Sequence, residues 1–481
     1  MAQTVTLMAS PPQPVPETTI TCQDQPEPKL DFKVKVHETT ILPPIQQTEI
    51  RKCCFLSNLD QNFNFYVSNV HFFSGNPDFP IEEVVRRLKA AVQKVLVPYD
   101  FAAGRVRQNH QSSLLEIDCD GTGAGFVVAS SEYSLDDIGD DLIYPHPGYK
   151  QLAPQKLDNL GLNDPPLNIF QVTSFKCGGF SLGVSTQHLL FDGIGAKMFY
   201  ENIASQAFED KPLAVVPCND RYLLAARSPP RVEFPHPELR LPVAVLPLSE
   251  SNNIHPVQEE EEELVSKLFK LSSNQINYLR EKAKPPPSST ETSTKPPIKI
   301  TSFNVVAALI WRCKALSTMD VENDNRVCTL LSAVDIRPRL NPPLPPSYCG
   351  NAVINAYASS KCIELEDKPF SEIVKIISDG VTRVRDEYIR STIDWIEINK
   401  GVPNGDYFIS SWWRLGLEQL VYPWGKPIYS LPVMSHVKYV CFLLPSHDHL
   451  NNNNGGVNVV VTLPVKEMDK FQSLFYDSFK N

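Results

Sequence analysis

Along residues 80–96, PIEEVVRRLKAAVQKVL, the apolar positions Ile81, Val84, Val85, Leu88, Val92 and Val95 recur every three to four residues among charged ones. That period predicts a helix with one buried stripe, opened by a proline suited to a first helical turn. SSNQINYLREKA predicts another helix, with Ser272 and Gln275 at capping-box spacing. SFNVVAALIWRCKAL (302–316) carries an apolar helical stripe, and EMDKFQSLFYDSF closes the chain as a helix. KYVCFLLP and GVNVVVTLP predict two strands instead, joined by the polar loop SHDHLNNNNGG.

The most informative change of period falls at residues 180–207. Phe180, Leu182, Val184, Thr186 and His188 alternate along one face of a strand, with Gly183, Ser185 and Gln187 on the other. The period then lengthens to a helical one at Ala196, Phe199, Ile203 and Ala207. The strand therefore ends at His188, a turn holds Asp192 and Gly193, and a helix follows. Strand ends in α/β proteins face the crevices where ligands bind. A neutral imidazole there suits proton abstraction from a hydroxyl or amine near neutral pH. A histidine closing an apolar face is more often a hydrogen-bonded core residue, so His188 and Asp192 need supporting motifs.

Proline breaks the chain into blocks. There are 42 prolines in 481 residues, nearly twice the usual share of about 5%. Residues 1–30 read as a disordered arm, 31–226 as a first domain, 227–297 as a Pro/Glu-rich crossover with inserts, and 298–481 as a second domain. The run QEEEEEL within the crossover reads as a solvated face. A net charge of −10 excludes a basic footprint for nucleic acid and gives no attraction to anionic lipid. No apolar run approaches the ~18 residues of a membrane span, and no secretory signal is evident at the N-terminus. The 11 cysteines are scattered without a CxxC pair, which suits reduced thiols in a cytoplasmic protein. His447 and His449 have no cysteine or carboxylate cluster beside them, so no metal site is expected. There is no P-loop, GxGxxG or GxSxG.

Seven segments supply the support. In order they are FLSNLDQ (55–61), VPYDFAAGRV (97–106), FKCGGFSLGVSTQHLLFDG (175–193), TSFNVVAALIWRCKA (301–315), VDIRPRLNPPLPPSYCGN (334–351), SSWWRLGL (410–417) and YPWGKP (422–427). Together they resemble the plant BAHD, or HxxxD-type, acyl-CoA-dependent acyltransferases from about residue 30 to the C-terminus. GAGFVVASSEYSLDDIGD and PCNDRYLLAARSPP look closest to a GLAUCE-like group within that family. The resemblance implies a two-domain α/β fold like chloramphenicol acetyltransferase. Each domain would hold a mixed β-sheet flanked by helices, with an active-site channel between them. It implies a monomer with no bound cofactor, acyl-CoA as co-substrate and a small-molecule acceptor.

By the same resemblance His188 is the general base, and no covalent acyl-enzyme forms. Asp192 pairs with Arg337 and shapes the loop beside Gly193. Ser302, Ser410 and Ser411 line the CoA channel, and Trp424 and Gly425 support it from a distance. Arg337, Tyr348, Gly350 and Asn351 match the family's DxRxR…YFGN segment, with Cys349 in place of phenylalanine. Asn69 and His71 align with strand positions facing the acceptor, although a packing role fits them equally well.

Two departures stand out. VYPWG replaces the family's DFGWG, so Val421, Tyr422 and Pro423 stand where Asp, Phe and Gly would be. Trp413 stands where a small hydroxyl residue is common; its indole would narrow the acceptor pocket or offer its N–H to an oxyanion. The first departure motivates an alternative, a catalytically silent scaffold that binds CoA esters or a partner enzyme. A peptide-synthetase condensation domain is disfavoured, because Gln187 replaces the first histidine of HHxxxDG.

Overall fold

The computed structural model describes residues 31–46, 53–138, 146–157, 160–161, 164–242, 263–285, 299–318, 325–433, 438–446 and 455–480. The arm over 1–30, nearly all of the glutamate run, and the loop of His447 and His449 lie outside the described residues.

Two six-stranded sheets carry the architecture. The first runs β1 (Lys35–Leu42), β6 (Ala124–Ser130), β7 (Asn168–Ser174), β8 (Phe180–Gln187), β3 (Tyr66–Phe73) and β15 (Tyr429–Pro432). Only its β6–β7 pair is parallel. The second runs β10 (Leu264–Leu271), β17 (Val457–Pro464), β16 (Val440–Pro445), β14 (Tyr407–Ser411), β11 (Val327–Asp335) and β12 (Val353–Lys361). Here β14 is parallel to both neighbours. A small sheet of β2 (Cys53–Phe55), β5 (Leu115–Asp118) and β4 (Arg105–Gln108) sits beside the first, and β9 (Leu239–Arg240) pairs with β13 (Val402–Pro403).

Helices cover each sheet where the periodicity placed them. Ile81–Val95 packs on the helix Gly193–Gln206 and on β1 and β6, burying Val84, Leu88, Val92 and Val95 in one core with Phe126, Phe199 and Ile203. In the second half, Ser302–Ser317 is buried along nearly its whole length rather than on one stripe. Phe370–Arg383 and Val465–Asp477 pack around it. Ser272 caps the helix Ser273–Lys282 in the expected box with Gln275. The central strand β8 is buried on both faces; the polar face expected of Ser185 meets a loop instead, its hydroxyl donating to the Ala153 carbonyl at 3.1 Å.

Two of the expected domain limits need correction. β10 lies within the span read as crossover, yet it is the edge strand of the second sheet in register with β17, so the second domain begins well before 298. β15 lies within the second half of the chain but completes the first sheet, pairing antiparallel with β3.

Candidate active site

His188 follows β8 directly. Its backbone N–H donates to the Phe65 carbonyl at 2.8 Å, which ends the strand on a fixed contact. The ring is half-buried. Phe63 stacks on it at 4.4 Å between centroids, and Phe65 meets it edge-on at 5.4 Å. Nδ1 is enclosed without a hydrogen-bond partner among the described residues. Burial lowers the imidazole pKa below its usual value, and the carboxylates of Asp192 and Asp60 only partly offset this. The ring is thus neutral near pH 7, as a proton acceptor must be.

Asp192 turns away from that ring. It is the N-cap of Gly193–Gln206, Oδ1 accepting from the Gly195 N–H at 2.9 Å. Arg337 grips both oxygens, at 2.8 and 2.9 Å, and the Ala352 N–H donates to Oδ2 at 2.9 Å. The Arg337 fork also donates to Asp335 and to the carbonyls of Tyr348 and Gly350. Burial works against this guanidinium's charge, but Asp192 and Asp335 outweigh it and hold its pKa above the usual value. Gly193 is exposed at the first helical position. Gly195 has no room for a side chain, since a Cβ would sit 2.0 Å from the Cys349 carbonyl oxygen. That contact brings the helix onto the segment of residues 348–352 from the other half.

The remaining expected residues distribute less simply. Ser302 opens its helix behind the Thr301 cap, and Ser410 and Ser411 end β14. Ser302 and Ser410 are half-buried and Ser411 is exposed. Trp424 packs into the first core against Phe73, Phe79 and Phe180, and stacks on Tyr422. Gly425 adopts φ of 125°, and its N–H and C=O both bond to Tyr422, closing a tight turn that only glycine enters freely. The VYPWG departure is therefore accommodated: Tyr422 fills the buried aromatic position, and Val421 stands half exposed at the surface.

One expectation changes, and for two residues the structure favours the packing role left open. Trp413 is buried in the second core, and its indole N–H donates to the Gly456 carbonyl at 3.1 Å, so it is no wall of an acceptor pocket and no oxyanion donor here. Asn69 and His71 are buried rather than facing open space. They sit two residues apart on β3; Asn69 donates to the Tyr200 hydroxyl at 3.0 Å, and His71 Nδ1 lies 2.8 Å from Ser430 of β15.

Sequence reasoning missed Phe63, Phe65, Asp60 and Arg221. Asp60 and Arg221 form a fully buried ion pair at 2.6 Å. Both lie inside motifs quoted above, Asp60 as the one charge of FLSNLDQ and Arg221 beside Asp220 in PCNDRYLLAARSPP, and nothing local pairs them.

Two halves, each built on a six-stranded mixed sheet flanked by helices, with His188 and the arginine-locked Asp192 where they meet, have the chloramphenicol acetyltransferase-like fold, and the comparisons with known proteins make the chain an acyltransferase. The chain belongs to the Transferase family, the BAHD acyltransferases, which it matches over residues 32–478. It is 48% identical to the acyltransferase GLAUCE of Arabidopsis thaliana, over 93% of this chain and 96% of that one. It is 33% identical to the omega-hydroxypalmitate O-feruloyl transferase of the same plant, over 93% of each chain. The structure of vinorine synthase superposes with a TM-score of 0.68 over 92% of this chain and 98% of that one, at 22% identity. The chain is an acyl-CoA-dependent O- or N-acyltransferase by family. Among the described residues no helix is long and apolar enough to cross a membrane.

Proposed function

We propose that this chain moves a hydroxycinnamoyl group, or another aromatic or aliphatic acyl group, from acyl-CoA to a hydroxyl or amine of a plant specialised metabolite or a lipid-like alcohol. His188 acts as the general base. It takes the acceptor proton as the oxygen or nitrogen attacks the thioester carbonyl. The C–S bond then breaks, and the imidazolium returns the proton to the departing thiolate, so no acyl-enzyme is needed. Asp192 serves by locking the turn through Arg337. Ser302, Ser410 and Ser411 lie along the donor's path, and Phe63 and Phe65 offer an apolar, aromatic surface to the acceptor side. The enzyme works as a cytoplasmic monomer without a bound cofactor.

The observation that carries this reading is the division of labour across four residues. The His188 ring is neutral and part-exposed, whereas every oxygen of Asp192 is taken up by protein donors. The test is incubation of the pure protein with a panel of acyl-CoAs and plant alcohols and amines, reading thiol release and product mass. His188→Ala is expected to lose roughly 10²–10⁴-fold in turnover with acyl-CoA binding kept. Firm CoA-ester binding with no wild-type turnover across the panel would replace this reading with the silent scaffold.

A further inference from the structure

Behind the catalytic turn, two residues far apart in sequence converge on three consecutive carbonyls. Asn351 Nδ2 donates to His188 O at 2.9 Å. Arg221 Nη1 donates to Leu189 O at 3.3 Å, and Nη2 to Leu190 O at 2.6 Å. Both donors are tied to one carboxylate oxygen: Asp60 Oδ1 accepts from Arg221 Nη1 at 2.6 Å, from Asn351 Nδ2 at 2.9 Å and from the Asn351 N–H at 3.2 Å. Its other oxygen takes the N–H and hydroxyl of Ser57. Asp60, Arg221 and Asn351 are all essentially inaccessible.

We propose that Asp60, Arg221 and Asn351 form a positioning clamp that sets the His188 ring by fixing the backbone on which it is mounted. This rests on the reading of His188 as the base. A buried ion pair is a costly way to fill a core, because apolar residues of similar volume are usually as stable or more so. What apolar residues lack is the planar fork, which here reaches a carboxylate and two carbonyls at once. The His188 carbonyl also takes the Phe191 N–H at 3.3 Å, but the Leu189 and Leu190 carbonyls belong to a non-helical turn outside any ladder, so without Arg221 they would sit orphaned or draw in water. The clamp also closes only when the halves are docked, since Asp60 and Arg221 come from the first and Asn351 from the second. On the opposite side the Phe65 carbonyl holds the His188 N–H, leaving side-chain torsion as the ring's main freedom.

Arg221→Lys and Asn351→Ala test this. Lysine keeps a charge against Asp60 but cannot span both carbonyls, and alanine introduces no buried charge. Two readouts are taken on the folded, monodisperse fraction. The first is kcat against KM for acyl-CoA. Each variant should lose roughly 10–100-fold in kcat, the size expected of a sub-ångström to 1 Å misplacement, with KM little changed. The second needs no turnover: the pH dependence of His188 carbethoxylation by diethyl pyrocarbonate, followed by peptide mass. In Arg221→Lys its midpoint should rise toward the ordinary imidazole value as water reaches the loosened ring, with Asp192, Asp60 and Arg337 still beside it; in Asn351→Ala the lost Asn351 hydrogen bond, which favours the charged ring, opposes that rise, so the direction is read from Arg221→Lys. If both variants keep wild-type kcat and an unmoved midpoint, the clamp is purely structural and the proposal fails. If the wild type acylates nothing, the functional reading fails, and the carbethoxylation midpoint still decides the clamp.

Discussion

Replacing Asp192 by asparagine separates a structural carboxylate from a chemical one. Four donors point at its two oxygens at 2.8–2.9 Å: two nitrogens of Arg337 and the amides of Gly195 and Ala352. An amide retains one acceptor and sets an NH2 group against the donors on the other side. Breaking one partner of a buried ion pair typically costs about 3–5 kcal/mol. Arg337 keeps Asp335 at 3.0 Å and two carbonyls, which places the expected loss near the lower end, about 3 kcal/mol. For domains of this size each kcal/mol moves Tm by roughly 2–4 °C, so a fall of about 6–12 °C is expected. The assay is a thermal melt paired with turnover measured well below the transition and normalised to folded protein. Turnover per folded molecule should fall far less than in His188→Ala. A Tm within about a degree of wild type, with turnover lost as completely as in His188→Ala, would mean that the carboxylate takes part in the chemistry.

Other perturbations follow from packing and charge. Burial lowers the His71 pKa to about 4, so the folded protein holds it neutral while the unfolded chain protonates near 6.5. Stability present above pH 6.5 is therefore lost as pH falls toward 4, by about 3 kcal/mol in total. His71→Gln should flatten the fall in urea midpoint between those pH values; an unchanged slope would contradict the burial argument. Trp413→Thr should destabilise by about 3–5 kcal/mol in melts while the folded fraction keeps the wild-type acceptor range; a broadened range at unchanged Tm would return Trp413 to the pocket. Gly195→Ala should yield little folded protein or a sharply lowered Tm, because the new methyl would lie 2.0 Å from the Cys349 oxygen; a wild-type melt would show that the two halves have slack there.

Local periodicity was enough to locate most elements near the site. The switch from period two to period 3.6 placed the end of β8, the Asp192 turn and the helix after it, because those signals are written in neighbouring side chains. The partners of a strand are not. β15 is four residues long, and nothing in YSLP marks it as belonging to β3 in the other half of the chain. β10 was hidden by the proline and glutamate runs around it, which colour composition without touching the strand. Trp413 misled because its motif position suggests a channel wall, whereas the direction of its side chain is set by β14 and the Gly456 backbone. The Asp60–Arg221 pair escaped for a related reason. A charge in a segment that becomes buried needs a partner, but the partner is chosen by the tertiary fold.

The exchange of β15 bears on how substrates get in and out. A hinged enzyme admits its ligands by swinging two lobes apart, but here one lobe has laid a strand into the other's sheet. Opening like a clamshell would strip the ladder from Phe72↔Tyr429 to Asn69↔Pro432, beside His71 and its Ser430 contact. Substrates should instead enter and leave with the two sheets still joined, so the β15–β3 ladder should keep its hydrogen-exchange protection during turnover.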